Sequence, residues 1–242
     1  MIDLHVHLLH GVDDGPADLD EARTMCRIAA EDGITLAVAT PHQLNERWPN
    51  LDRRALERVH RELVLATGGR PEIRLGAEIR IGSDLLAEVD RLPGGGLLPL
   101  AGSRALLLEP PPLPVGPGIV DLVHELVLAG YRPVIAHPER VRWLTQDLLL
   151  LKHAVDRGAW LQVTAMALMG DLGRTPHMVC HTLLGAGLVH VVASDGHDPV
   201  RRPPRLRAAF EAVAAGWGED TANRLFVENP RDLIEDTAGG RR

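Results

Sequence analysis

Cysteine is almost absent from this chain: Cys26 and Cys180 are the only two in 242 residues. Two thiols cannot build a disulfide framework, so a reducing cytoplasm is the expected location. Aromatic residues make up only 3%, which leaves the core to Leu, Val, Ile and Ala. Lysine is nearly missing as well: Lys152 is the one basic residue of 26 that is not arginine. No apolar run approaches the roughly 18–20 residues of a membrane span, because charged or breaker residues interrupt each one. The opening MIDLHVHLLHGVDDG has neither the basic region nor the small-residue cleavage site of a leader. A net charge of −7 removes the basic face needed to grip a nucleic-acid backbone. Membrane insertion, nucleic-acid binding and disulfide scaffolds are not expected.

What remains is an ordinary globular composition in which short apolar runs alternate with amphipathic stretches. Strands are expected at Met1–Val6, Ile34–Ala39, Glu72–Gly76, Ala105–Leu108, Arg132–Ala136, Ala159–Val163 and Val189–Ala193. Helices are expected at 18–32, 51–67, 83–91, 117–129, 145–157, 175–186, 203–216 and 219–227. In the first, Leu19, Ala22, Met25, Cys26 and Ala29 recur at the helical period. Asp18 and Glu21 form a capping-box start there, and Gly33 a stop. Strands alternating with helices imply parallel strands joined by right-handed crossovers. Seven such units in one α/β domain over residues 1–236 point to a (β/α) barrel, with a disordered tail at 237–242. The stretch Pro110–Pro117 (PPPLPVGP) is expected to be a stiff loop.

The polar interruptions are more informative than the runs. His5 and His7 stand at i and i+2 on the first strand and so share a face. His42, Glu78, Glu109, His137, Asp195 and His197 lie at the ends of five further strands, and Asp14 in the first loop. A parallel barrel opens all its strand C-termini on one face, the usual location of an active site. Each of these residues alone reads as a cap or a hydrogen-bonded structural residue; together they do not. Carboxylates and imidazoles crowded into one buried place are poorly solvated without cations. Mixed N/O donors of that number suit two or three borderline divalent ions such as Mn, Fe(II) or Zn. His10, beside Asp13 and Asp14, is a candidate to line the same site. His60, His124, His153, His177 and His181 fall within or beside helices and read as surface or packing residues, and His190 as a structural strand residue.

Taken together, His5-x-His7, Asp14, Thr40-Pro41-His42, Gly76-x-Glu78, Glu109, the AHPER run ending at Arg140 and Ser194-Asp195-x-His197 resemble the polymerase-and-histidinol-phosphatase (PHP) superfamily. The opening MIDLHVHLLHGVDDGPADLDEA and AHPER are similar to the manganese-dependent protein-tyrosine phosphatases of bacterial capsule and exopolysaccharide loci, the CpsB/CapC type. The resemblance extends from Met1 to about Leu233. It implies a distorted (β/α)7 TIM-like barrel of the PHP fold with two to three divalent transition metals, manganese first. It also implies an allocation: His5, His7, Glu78 and Asp195 for one ion; Glu78, Glu109 and His137 for a second; Asp14, His42 and His197 for a third. The implied substrate is a phosphotyrosine protein, a bacterial tyrosine kinase. Two places depart from the family pattern: Gln43 stands where many relatives have a second histidine, and the loop after Glu109 is unusually rich in proline.

The implied chemistry is attack on phosphorus by a metal-bridged hydroxide, which bound divalent ions would generate near neutral pH. Four ligand carboxylates against three divalent ions leave the centre positive, as a phosphate dianion requires. Arg140 and Arg202 are candidates to grip phosphoryl oxygens in their planar forks, with the adjacent Arg201 an alternative to Arg202. A thiol mechanism needs Cys-x5-Arg, but Asp32 and Ala186 stand six residues after Cys26 and Cys180. A carboxylated lysine bridge needs Lys at a strand end, and Lys152 sits in a helical stretch. The readings left open are a small-molecule phosphatase of the histidinol-phosphatase type and a catalytically idle, metal-stabilised regulatory subunit. Trp48, in the loop after His42, is a candidate stacking surface at the rim or a cover for the next helix.

Overall fold

The first strand, β1 (Ile2–Val6), is buried at all five positions. It pairs in parallel with β2 (Leu36–Ala39), which pairs with β4 (Glu72–Leu75) beyond β3 (His42–Gln43). A second run of parallel pairings joins β3, β5 (Glu78–Arg80), β6 (Ala105–Glu109), β7 (Arg132–Ala136), β8 (Trp160–Thr164) and β9 (Val191–Ala193). The two runs are one system. Leu36 faces Glu72, and His42 faces Glu78 in the same register, so β2–β3 and β4–β5 are two strands interrupted at Thr40–Pro41 and Gly76–Ala77. Pro41 has no N–H to give to a ladder, which accounts for one interruption. Asp195 N donates to His5 O and His7 N to Gly196 O, both at 2.8 Å, linking the end of β9 to β1. Seven strand positions therefore form a circuit, in agreement with the (β/α)7 expectation. The computed structural model describes residues 1–114 and 118–236. The tail expected to be disordered, 237–242, and part of the 110–117 loop lie outside the described residues.

Around the strands run α1 (Leu19–Glu31), α2 (Arg53–Thr67), α3 (Leu85–Val89), α4 (Ile119–Leu128), α5 (Arg142–Thr145), α6 (Leu148–Asp156), α7 (Ala165–Met169), α8 (Arg174–Gly185), α9 (Arg207–Trp217), α10 (Glu219–Asn223) and α11 (Asn229–Glu235). The expected capping box of α1 is present: Asp18 accepts from Glu21 N at 2.9 Å, and Glu21 accepts from Ala17 N at 2.8 Å. Ala22, Met25, Cys26 and Ala29 are its buried stripe. The helix expected at 145–157 is α6, which starts at Leu148 behind the Asp147 cap, whose carboxylate accepts from Leu150 N; the short α5 precedes it. The one expected at 219–227 continues through a π turn at Arg224–Glu228 into α11. α7 escaped the sequence reading because five residues ended by Gly170 (φ 92°) are too few to show a period.

One irregularity aims the functional strand. Ile2 and Leu4 belong to the apolar cluster of Leu36, Val38, Leu107, Val134 and Val191, which fills the barrel. Strict alternation would then turn His5 and His7 outward. The β1–β2 register shifts between Asp3 and Val6, and such a bulge changes which face the following side chains occupy. Asp3, fully buried, accepts from His5 N at 3.3 Å and from Ser194 N and Oγ at 3.0 and 2.5 Å. The same carboxylate thus supports the bulge and fastens β9 to β1.

Candidate metal centre

The C-terminal ends of the strands bring all nine expected side chains to one place. Glu78, with no exposed surface, is the hub. Its Oε1 accepts from His137 Nε2 at 2.7 Å, and its Oε2 lies 3.5 Å from His5 Nε2, 3.5 Å from His7 Nε2 and 3.0 Å from His42 Nδ1. Asp195 Oδ1 lies 3.3 Å from His5 Nε2 and 3.7 Å from His7 Nε2. Asp14, at the open mouth, stands 3.3 Å from His42 Nε2 and 3.4 Å from His197 Nε2.

Four overlapping groups have donor atoms all within 4.8 Å of one another: His7, Asp14, His42 and His197; His5, Glu78 and His137; His5, His7 and Asp195; and His42, Glu78 and Glu109. One, His5 with His7 and Asp195, falls within a single ion's share of the family allocation; the first adds His7 to Asp14, His42 and His197, and the second joins His5 to Glu78 and His137. The fourth keeps Glu78 with Glu109 but adds His42, 3.5 Å from Glu109, in place of His137.

Two of these residues hold unusual backbone. His137 (φ 31°) and Asp195 (φ 52°) occupy the left-handed region, which costs a non-glycine residue about 1–3 kcal/mol and gathers at functional sites. Gly15 serves the first loop differently. A Cβ there would stand 2.9 Å from His7 O, so only glycine lets the loop bearing Asp13 and Asp14 fold down onto His7.

Residues the sequence reading passed over orient the imidazoles. His7 Nδ1 donates to the buried Asp13 at 2.8 Å, and His5 Nδ1 donates to Gln162 Oε1 at 2.9 Å. Both bonds leave Nε2 turned inward, the usual support of metal-binding histidines. His197 Nδ1 donates to Asp195 O at 2.9 Å with the same result. Asp13 was hidden by its doublet with Asp14; Gln162 did leave a signal, as the polar break in the buried run WLQVT. Glu139, inside AHPER and 1% exposed, accepts from Thr164 N and Oγ and ties the turn that carries His137 and Arg140 to the end of β8.

Charge is what this cluster fails to balance. Burial opposes a proton on His7, yet the Asp13 carboxylate outweighs it and pushes the imidazole up to about 10. His42 is pushed up to about 12, against burial, by Asp14, Glu109 and Glu78. Burial would raise Glu78 and Asp195, but the surrounding imidazoles, joined at Asp195 by Arg202, hold both well below the ordinary carboxylate range. Protons thus take the place of cations among these side chains. They do so incompletely: His42 Nδ1, His137 Nδ1, Glu78 Oε2 and Glu109 Oε2 are buried without a hydrogen bond. Such atoms cost about 1–3 kcal/mol each unless something satisfies them. A mixed N/O donor set with orphaned lone pairs fits divalent ions of the borderline class.

The arginines sort themselves. Arg140 is paired with Asp195, and Arg202 Nη2 donates to Asp195 Oδ2 at 2.6 Å and to its carbonyl at 3.1 Å. Arg201 is exposed, its N–H bound to Asp198, so Arg202 and not Arg201 faces the centre. Arg80, unremarked in the sequence, pairs with Glu109 at 2.8 Å. Trp48 lies flat against His42, ring centroids 5.3 Å apart at 7°, and so walls a candidate ligand rather than the next helix. Gln43 points away: its amide binds the carbonyls of Asn50 and Gly96 and the N–H of Leu98. His10 stands apart, 3.8 Å from Glu62 of α2. Both cysteines are buried in helices, and burial pushes Cys26 up to about 12, far from a nucleophilic thiolate. Lys152 pairs with Asp156 on α6.

The model of the family described as capsular polysaccharide synthesis, CpsB/CapC, matches residues 1–235. The tyrosine-protein phosphatase YwqE of Bacillus subtilis is 33% identical over 241 residues, covering 97% of this chain and 91% of the relative. The tyrosine-protein phosphatase CpsB of Streptococcus pneumoniae is 28% identical over 243 residues, covering 98% and 99%. A solved structure from work on those two proteins, described there as unique metal-dependent tyrosine phosphatases, superposes with a TM-score of 0.90 at 32% identity, covering 98% of this chain and 96% of the other. Barrel, clustered donors and similarity along nearly the whole length agree: the chain belongs to the CpsB/CapC family.

Proposed function

We propose that the protein is a metal-dependent protein-tyrosine phosphatase, one catalytic domain over residues 1–236, acting in the cytoplasm on a bacterial tyrosine kinase of capsule or exopolysaccharide synthesis. The carrying observation is the hub at Glu78, where imidazoles and carboxylates from six strand ends meet with buried donor atoms left unpaired. His5, His7, Asp14, His42, Glu78, Glu109, His137, Asp195 and His197 hold two to three divalent ions, manganese by family resemblance, with iron or zinc as alternatives. When bound, those ions supply positive charge for phosphoryl oxygens and acidify water.

The chain's own residues do the rest. Asp13, Gln162 and the Asp195 carbonyl keep His7, His5 and His197 turned so that Nε2 faces inward. Arg140 and Arg202, side by side on one carboxylate at the partly open mouth, present planar N–H forks to the phosphoryl group and stabilise charge that develops on it. Asp14, the most exposed of the nine, marks the side from which substrate enters.

Metal analysis of the purified protein, with turnover of phosphotyrosine peptide and histidinol phosphate before and after chelation, tests the reading. Two to three equivalents of metal, loss of activity on chelation, rescue by manganese and preference for the peptide are expected. Activity that survives verified metal removal overturns the mechanism. A strong preference for histidinol phosphate overturns the substrate class, and a metal-loaded protein inert toward both is an idle regulator.

A further inference from the structure

Beside the metal centre lies a cleft of about 640 Å3, within the roughly 300–1,000 Å3 usual for ligand sites. Part of its wall lies within three residues of three of the strand-end positions. Leu44 follows His42, Ile81 follows Glu78 and Arg80, and Pro111 and Pro112 follow Glu109; Leu86 of α3 and Leu122 of α4 close the far side. Arg80 belongs to both places, lining the cleft while pairing with Glu109 at 2.8 Å. The rim is set in advance: the Trp143 indole N–H donates to Pro111 O at 2.9 Å, and prolines at 110–112 stiffen the segment.

The lining is mostly apolar, with Asn45 and Ser83 also in it and negative charge at its edge. Glu46 and Asp84 are exposed, while Arg80, the cation of the wall among the described residues, is already matched by Glu109. A phosphate would be repelled here, and an acidic side chain would meet like charge in a weakly hydrated place. An apolar side chain would remove water from leucine and proline surface. The cleft adjoins the centre through Arg80, and an extended strand advances only about 3.3 Å per residue. Its occupant therefore lies on the same polypeptide as the group bound at the centre.

Resting on the phosphatase reading above, we propose that this cleft receives an apolar side chain within two positions of the phosphotyrosine, and that Glu46 and Asp84 disfavour acidic residues there. Substrate selection then comes from this cleft as well as from the phosphate.

The test uses the manganese-loaded full chain and peptides bearing a non-hydrolysable phosphonate in place of phosphotyrosine, with Leu, Gly or Asp placed in turn at the two positions on either side. Fluorescence anisotropy should show one position at which Leu binds about tenfold tighter than Gly, and Asp weaker than either. D84K should relieve the Asp penalty, and L86D should abolish the Leu advantage. Both variants should turn over a small aryl phosphate within twofold of the parent. If L86D lowers the melting temperature, D84K, at an exposed position, still carries the test. Equal affinity across the wild-type series, with aryl phosphate turned over normally, overturns the cleft assignment and leaves the phosphatase reading standing. A preference unchanged in both variants overturns it too. A metal-loaded protein that hydrolyses neither aryl phosphate nor phosphotyrosine peptide overturns both.

Discussion

The two ends of the barrel use the same residue types to opposite effect. At the N-terminal ends, Asp236 accepts from Arg104 at 2.5 Å and faces Arg132 Nε at 3.1 Å. Arg132 lies over Trp160, which stacks on His190. Burial lowers the His190 pKa, and its neutral Nδ1 accepts from Leu161 N at 3.2 Å. Carboxylate, guanidinium and imidazole each find a partner supplied by the chain. At the C-terminal ends the carboxylates outnumber the arginines, His7 and His42 are driven toward protonation while burial and the neighbouring His7 oppose a proton on His197, and buried donor atoms stay unpaired. One end is matched in charge by the chain itself, with Asp236 Oδ2, 3.1 Å from Arg132 Nε, the buried atom there that makes no hydrogen bond among the described residues. The other needs ions from outside, and that incompleteness, rather than the presence of charged residues as such, distinguishes a functional cluster from a structural one.

Removing the hub should break this contrast most severely. Glu78→Gln or His137→Ala should lower phosphatase turnover by at least about a thousandfold, with metal content measured by mass spectrometry falling to less than half; both effects come from losing shared donors. A His137→Ala protein with full metal and full activity would show the cluster to be structural. Arg140→Ala should lower kcat by about a hundredfold with metal content unchanged, the range found when a donor to a developing anion is lost. Arg201→Ala, one residue from Arg202 but facing solvent, should stay within twofold in the same assay.

The charge-matched end and the barrel seam should respond in stability instead. Asp236→Ala should cost about 1 kcal/mol or less in denaturant unfolding, since its partners are partly solvated, with metal content and kcat unchanged. Asp3→Ala should cost about 2–3 kcal/mol, because it strands the buried N–H groups of His5 and Ser194. A loss of metal in Asp236→Ala would mean that the two ends are coupled.

Protonation sharpens the comparison further. The folded-state values of His7 and His42 are raised. In metal-free protein their contribution to stability is therefore complete below the ordinary imidazole value, about 6.5, and is lost as pH rises through the raised values. Glu78 and Asp195 are depressed, so their contribution is present above about pH 4 and lost on acidification. Ions must displace the imidazole protons. The rise in melting temperature on adding manganese should therefore grow by several degrees from pH 6 to pH 9; a constant rise would remove the histidines from the ligand set. The thiols should matter little: Cys26→Ser with Cys180→Ser should keep turnover within a few-fold.

Much of this was legible in the chain itself. Apolar runs of strand length between amphipathic stretches are local properties, so all seven expected strands are found, with ends shifted by a residue or two. Histidines and acids at strand ends announced a metal site because a parallel barrel opens every such end on one face. Other features depend on contacts between distant segments and left no local trace. The phase of β1 is one: alternation from Ile2 and Leu4 points His5 outward, and only a bulge held by Asp3 and Ser194, 191 residues apart, turns it in. The choice of Arg202 over its neighbour is another, since an Asp198 turn and a bond to Asp195 decide which guanidinium reaches the centre. The grouping of Glu109 with His42 and the cleft that Arg80 shares with Glu109 likewise arise where strand ends meet. Chain-local chemistry determined which donors exist and that they gather at one pole. Tertiary packing decided which atoms face one another, because angles and distances of a few ångströms at a strand end are set by neighbouring strands and not by the residue's own sequence.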